Sequence, residues 1–264
     1  MVYLSAKHIA IKKNQDRSYF DEGKILVCDG IGEFKDSARA AEIVIDNLTS
    51  VQSSIEIKSM LEKSVMEIIT NNLTAGTTYI MATLMNDNSK LSLNYIGNGS
   101  IIKMQGDFYE LPKTYSEINK PYRYLSLMMP HIDRDGILVR HVSHKSNPEE
   151  LMPSNIEITL NGMNGDIIII CSDGITSLED DFIVSDDQNR LWRNQSELLS
   201  KFIKRLHEFL KNNCSLITNQ KIEKFIDDEL TSYKENKLLE DDASIGVILT
   251  EEVITYYKSV YYAK

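Results

Sequence analysis

The chain has 264 residues, 42% of them hydrophobic and 26% charged, which excludes a disordered or fibrous polypeptide. Its 29 Lys and Arg face 39 Asp and Glu, and a net charge of −10 argues against nonspecific nucleic-acid binding, which needs cations to neutralise phosphates. Three widely spaced cysteines, Cys28, Cys171 and Cys214, form no disulfide framework and fit a reducing compartment.

The N-terminal stretch MVYLSAKHIAIKKNQD lacks the apolar run of a signal peptide, and no segment approaches the roughly 20 apolar residues of a membrane span. A cytoplasmic protein without membrane or nucleic-acid partners is expected. Along the chain, Ser18–Phe20 and Lys24–Asp29 flank a turn at Asp21-Glu22-Gly23 and read as a hairpin. Asp36 offers an N-cap for a helix carrying Ala40, Ile43, Val44 and Leu48, and a second amphipathic helix spans about Ser54 to Asn71.

Residues 77–87, 90–97 and 100–111 then read as neighbouring antiparallel strands, the first two joined by a polar turn at Asn86–Ser89. Pro112 to Pro153 reads as irregular. A very apolar strand, DIIIIC, stops on Ser172-Asp173-Gly174, and helices are expected near Ser196–Asn212 and Thr218–Tyr233. ASIGVILT is a last buried strand, and the aromatic tail EEVITYYKSVYYAK reads as an added edge strand or a partner surface. Strands and helices do not alternate strictly, which suits antiparallel sheets with helices on their outer faces in one domain over residues 1–264.

The chemistry is concentrated where apolar strands meet aspartate. KILVC runs into Asp29-Gly30, IIIIC into Ser172-Asp173-Gly174, and Asp241-Asp242 stands directly before ASIGVI. A carboxylate at the rim of a buried strand is costly to desolvate, and a hard cation such as Mg²⁺ or Mn²⁺ compensates it with oxygen ligation. One Asp-Gly pair is ordinarily only a turn. Three such motifs against apolar strands point to a shared metal site.

Taken in order, Asn14-Gln15-Asp16, VCDGIGE (27–33), AGTTYIMATL (75–84), LNYIGNGSIIKM (93–104), GDIIIICSDGITS (165–177) and DDASIGVI (241–248) resemble the metal-dependent protein phosphatases of type 2C, the PPM family, in its bacterial form. The resemblance implies an α+β fold, a four-layer α-β-β-α sandwich of two packed antiparallel sheets flanked by helices. It implies two Mn²⁺ or Mg²⁺ ions and hydrolysis of phosphoserine or phosphothreonine by an activated water. Asp29 would bridge the ions with the Gly30 carbonyl as a further ligand. Asp173 and Asp241 would complete the first ion's shell, and Asp16 would sit beside the second. The catalytic residues implied are Asp16, Asp29 and Asp173, and the partner is a phosphoprotein, with a cognate Ser/Thr kinase.

The departures carry consequences. Gln15 stands where the family often has glutamate, which implies a weaker grip on the second ion. Asn98 replaces the aspartate of a third metal site. Ile11 occupies the place of a phosphate-binding arginine, leaving Lys12 and Lys13 as candidate phosphate ligands, or else as a solvated pair at a strand start. Three readings stay open: a phosphoprotein phosphatase, a catalytically silent regulatory or binding module, and a phosphatase of a small phosphate ester or phosphorylated regulator. His141 and His144 lack metal-binding partners in the sequence, Cys28 and Cys171 read as inert core, and the acidic run from Glu179 to Asp187 as a solvated loop.

Overall fold

A computed structural model describes residues 1–51, 53–85, 88–108, 122–176, 196–262 and, for the backbone, the strands 183–185 and 191–193. Chain order runs β1 (Val2–Ile9), β2 (Arg17–Phe20), β3 (Lys24–Cys28), α1 (Ser37–Thr49), α2 (Ser54–Thr70), β4 (Gly76–Thr77), β5 (Tyr79–Leu84), β6 (Lys90–Ile96) and β7 (Ser100–Gln105). Then follow β8 (Leu125–Ser126), β9 (Val142–Ser143), β10 (Ser154–Thr159), β11 (Asp166–Cys171), β12 (Ile183–Ser185) and β13 (Leu191–Arg193). The chain ends with α3 (Glu197–Asn213), α4 (Asn219–Glu235), β14 (Ala243–Thr250) and α5 (Glu251–Tyr261).

Two five-stranded antiparallel sheets form the centre, ordered β1-β14-β11-β7-β8 and β10-β6-β5-β3-β2. Strand periodicity divides their side chains between two environments. Ile25, Val27, Ile168, Ile170 and Ile248 point into the core between the sheets. Leu26 and Cys28 pack outward beneath α1 and α2, while Ile167, Ile169 and Cys171 pack outward beneath α3, α4 and α5. Because both faces of β3 and β11 are covered, their sequences read as unbroken apolar runs. The expected four-layer α-β-β-α sandwich is what the chain forms.

Local chemistry explains several boundaries. Ser196 caps α3, its Oγ accepting the Leu199 N–H, and Thr218 caps α4 by accepting from Lys221. Ser53 and Glu56 close a capping box at α2. Asp36 does precede α1, but its Oδ2 accepts the Thr74 N–H and not a helical one. The buried Lys24 ammonium donates to the carbonyls of Leu48, Thr49 and Val51, satisfying the end of α1.

The structure corrects the sequence reading in further places. The tail forms helix α5, not an edge strand: Val253, Ile254 and Tyr257 share one buried helical face, and both flanks of β14 are already paired, with β1 and β11. β7 does not neighbour β6; it pairs with β11 in the other sheet. β1, unread in the sequence, completes the first sheet by pairing with β14 along its whole length. Lys12 and Lys13 lie in the bend that follows β1, not at a strand start. The 112–153 region contributes β8 and β9 in its described part, and β10 follows it. The acidic residues Glu179 to Asp181 and Asp186-Asp187, and Asn86-Asp87 of the proposed turn, lie outside the described residues.

The step from β6 to β7 is the crossover between the sheets, and it has room only for glycine on either side of Asn98. Gly97 has φ +136°, and a Cβ there would stand 2.3 Å from the Thr78 Cβ. At Gly99 a Cβ would meet the Cys171 carbonyl oxygen at 2.4 Å. Gly97→Ala is therefore expected to cost about 3 kcal/mol of stability, from backbone strain plus overpacking. A urea titration showing an unchanged midpoint would contradict this account of the crossover.

Candidate metal centre

Antiparallel register brings the aspartate motifs to one end of the sandwich. Arg17 pairs with Cys28, so Asp16, just before β2, lies beside Asp29, just after β3. Cys171 pairs with Ile245, so Asp173, beyond the end of β11, lies beside the Asp241-Asp242 entry to β14. A cavity of about 340 Å³ opens there, lined by Asp16, Asp29, Gly30, Asp173, Asp241 and Asp242, with Lys12, Lys13, Gln15 and Asn98 among its walls. The separated sequence motifs thus share one cavity.

Asp16 is 1% exposed; the Ser244 hydroxyl donates to its Oδ2 at 2.9 Å, while its Oδ1 is buried without a partner. Burial pushes its pKa up, opposed by hydrogen bonds from Ser172, Ser244 and Asp29, with the charge of Asp173 adding to the rise. Asp29 keeps a partly accessible surface, yet its carboxyl is tightly surrounded, and desolvation drives its pKa well above the carboxylate range. The charges of Asp16 and Asp173 add to that rise. Without a counter-charge, such a cluster keeps protons it would otherwise lose.

Asp241 and Asp242 separate by role. Asp242 accepts N–H groups from Ile11 and Lys12 on Oδ1 and from Gln15 on Oδ2, at 2.7–2.9 Å. Burial works to raise its pKa, but the backbone donors of Gln15, Ile11, Lys12 and Lys13 overcome it and the net shift is downward. Asp242 therefore shapes the loop that presents Asp16. Asp241 is the exposed member, with Lys12 Nζ 3.6 Å from its Oδ2. Lys13 Nζ donates to the Gly32 carbonyl across the cavity wall. Gln15 turns its amide away, donating to the Phe34 carbonyl at 2.9 Å. Gly30 admits no side chain, since a Cβ would stand 2.6 Å from the Gln15 Cβ.

Three further residues belong to the site, and all stand inside the sequence motifs: Ser172, Asn98 and Ser244, the last with no signal of its own that singles it out. The Ser244 hydroxyl donates to Asp16, Ser172 Oγ accepts the Ser244 N–H at 3.0 Å, and the Asn98 amide donates to Asp173 Oδ2 at 2.7 Å. His144, in contrast, packs edge-on against Phe34 beside β4, with ring centroids 5.1 Å apart. Cys28 and Cys171 are buried, and burial followed by the charges of Asp16 and Asp29 pushes the Cys28 thiol up, which fits an inert role.

Among the described residues, no group of three or more His, Cys, Asp or Glu side chains is arranged to hold a metal ion. The carboxylates instead cluster, with Asp29 under the charges of both Asp16 and Asp173. The donors nevertheless fit a hard divalent cation. They are all oxygen, one buried carboxylate oxygen lacks any partner, and burial and then the charges of Asp16 and Asp173, which a cation would neutralise, raise the pKa of Asp29.

No protein-family model matches the sequence, and no curated protein matches it. Solved structures do. PstP/Ppp, a serine/threonine phosphatase of Mycobacterium tuberculosis, aligns over 94% of this chain and 97% of its own at TM-score 0.56 and 13% identity. The PstP catalytic domain in complex with two manganese ions aligns over 95% of this chain and 99% of its own at TM-score 0.57 and 13% identity. MsPP, a PPM Ser-Thr phosphatase of Mycobacterium smegmatis, aligns over 94% and 97% at TM-score 0.55 and 12% identity. This chain has the PPM phosphatase fold. PppA, a regulatory component from Pseudomonas aeruginosa, shares that fold over 94% of this chain and 96% of its own, at TM-score 0.58 and 14% identity. Within the PPM fold, the carboxylate cavity lies at the ends of β3 and β11, where the two central sheets meet. Among the described residues no helix is long and apolar enough to cross a membrane.

Proposed function

We propose that this protein is a metal-dependent phosphoprotein phosphatase acting on phosphoserine and phosphothreonine, opposing a Ser/Thr kinase. The observation that carries the reading is the cluster of Asp16, Asp29 and Asp173, sharing one cavity with Asp241 on the PPM fold. Mn²⁺ or Mg²⁺ held by Asp16, Asp29, Asp173, Asp241 and the Gly30 carbonyl would supply water activation and charge neutralisation at the phosphoryl group.

The chain's own groups do the rest. Ser244 orients Asp16, with Ser172 behind it accepting the Ser244 N–H, and Asp16 would hold a water and take its proton. Asn98 orients Asp173. Lys12 and Lys13 line the same cavity and are the cationic groups there that can meet a substrate phosphate. Each supplies a point charge without the bidentate fork of an arginine, so phosphate binding is expected to be loose.

The test is direct. The purified protein should release phosphate from a phosphothreonine peptide in Mn²⁺ and stop on addition of EDTA, with Asp173→Asn inactive. Turnover that persists in EDTA would refute a metal-dependent reaction. A second reading, a silent phosphoprotein-binding module, is favoured by Gln15, whose amide is spent on Phe34, and by Lys12 standing at Asp241. Failure to bind Mn²⁺ in calorimetry up to millimolar concentration would select it.

A further inference from the structure

We infer that Asn98 is a positioning residue for Asp173, a neutral amide donor built in beside the metal ligand, which holds that carboxylate in one orientation. The inference rests on the metal-binding reading above and adds to it a residue that would not itself touch the ion.

Asn98 is 7% exposed, and its Nδ2 lies 2.7 Å from Asp173 Oδ2. The opposite amide orientation would set a carbonyl oxygen against a carboxylate oxygen at that distance, so the donor must face Asp173. The Asn98 Oδ1 is buried and has no partner. An amide that leaves its own oxygen unsatisfied in order to donate to one carboxylate is a costly arrangement for packing alone.

The donor is also held from behind. The Gly97 N–H donates to His131 Nδ1 at 3.1 Å, and the His131 N–H donates to the Gly97 carbonyl at 2.8 Å. The His131 ring stacks on Tyr95 with centroids 5.3 Å apart. On the other side Gly99 passes so close to the Cys171 carbonyl that a Cβ would approach to 2.4 Å. Asn98 therefore cannot drift away from Asp173, and Asp173 Oδ2 is oriented before any ion arrives. Outer partners of this kind govern ligand orientation and metal affinity. Its neutrality matters equally: an aspartate at this position would face Asp173 with a like charge.

The test is Mn²⁺ calorimetry on the full chain, with thermal melting in EDTA, for wild type, Asn98→Leu and Asn98→Asp. Asn98→Leu should bind Mn²⁺ about tenfold more weakly, the lower end of what losing such a partner costs. Asn98→Asp should melt below wild type in EDTA and recover more than wild type on adding Mn²⁺, because the new carboxylate is then neutralised. Wild-type affinity in the leucine variant overturns the inference. If that variant does not fold, an aspartate variant with wild-type melting in EDTA and wild-type Mn²⁺ affinity overturns it instead. Wild type that binds no Mn²⁺ refutes the metal reading itself, and this inference falls with it.

Discussion

Asp29→Asn is expected to lower Mn²⁺-dependent phosphopeptide hydrolysis by on the order of 10³-fold, equivalent to several kcal/mol of lost charge stabilisation at the phosphoryl group. The reason is position. Asp29 lies in the cavity under the charges of both Asp16 and Asp173, so no neighbour can take its place. Asparagine keeps the shape but removes the charge that holds a cation. The loss should appear in kcat and in the apparent Mn²⁺ affinity together, measured by phosphate release across a metal titration. A variant retaining more than a tenth of wild-type turnover would mean that the ions, if bound, sit elsewhere.

The same substitution is expected to stabilise the metal-free protein. In the fold, Asp16 and Asp29 have pKa values raised by burial above the ordinary 3.8, and Asp16 reaches about 7. Between those values the fold holds protons that the unfolded chain has already released. The stability these groups contribute is therefore complete below about pH 4 and is lost as pH climbs toward neutrality. Glu42, whose pKa is lowered chiefly by its hydrogen bond from Arg17, acts in a different window: its contribution is present above its ordinary 4.5 and fades in more acid solution.

In EDTA the melting temperature should thus fall between pH 5 and pH 7.5, and Asp29→Asn should flatten that decline. At pH 7.5 the variant should exceed metal-free wild type by about 1–2 kcal/mol, the usual gain when a strained functional group is relieved. Mn²⁺ at a hundredfold excess over its dissociation constant should return about 2.7 kcal/mol to wild type and release protons as it binds. A wild-type melting temperature in EDTA that does not fall between pH 5 and pH 7.5, and that Asp29→Asn leaves unchanged, would show that these carboxylates are not held neutral.

Much of the architecture was legible along the chain because it depends on local patterns. The α1 and α2 segments carry apolar residues at helical spacing. β3 and β11 are apolar at every position because both faces of each strand are covered. The misread elements are those where two periods or two partners compete. The tail is rich in aromatic residues that suit a strand, yet Val253, Ile254 and Tyr257 also fit one helical face, and β14 had no free edge to receive a strand. β7 follows β6 after a short turn and looks like its hairpin partner, but Gly97 and Gly99 let the chain cross to the other sheet.

The aspartates show the same division. By itself the sequence determined that Asp29, Asp173 and the Asp241-Asp242 pair would stand at the rims of buried strands, because polarity changes abruptly where each strand meets its acidic residue. Which rims face one another was decided by antiparallel register: the start of β2 lies beside the end of β3, and the start of β14 beside the end of β11. Only the tertiary structure separated Asp242, committed to three backbone N–H groups, from the exposed Asp241, since two adjacent identical residues carry no internal distinction. It alone brought Ser244 to Asp16 across 228 positions and Asn98 to Asp173 across 75. Hydrogen-bond partners so distant in sequence leave no periodic trace, because what selects them is the geometry of the packed sheets.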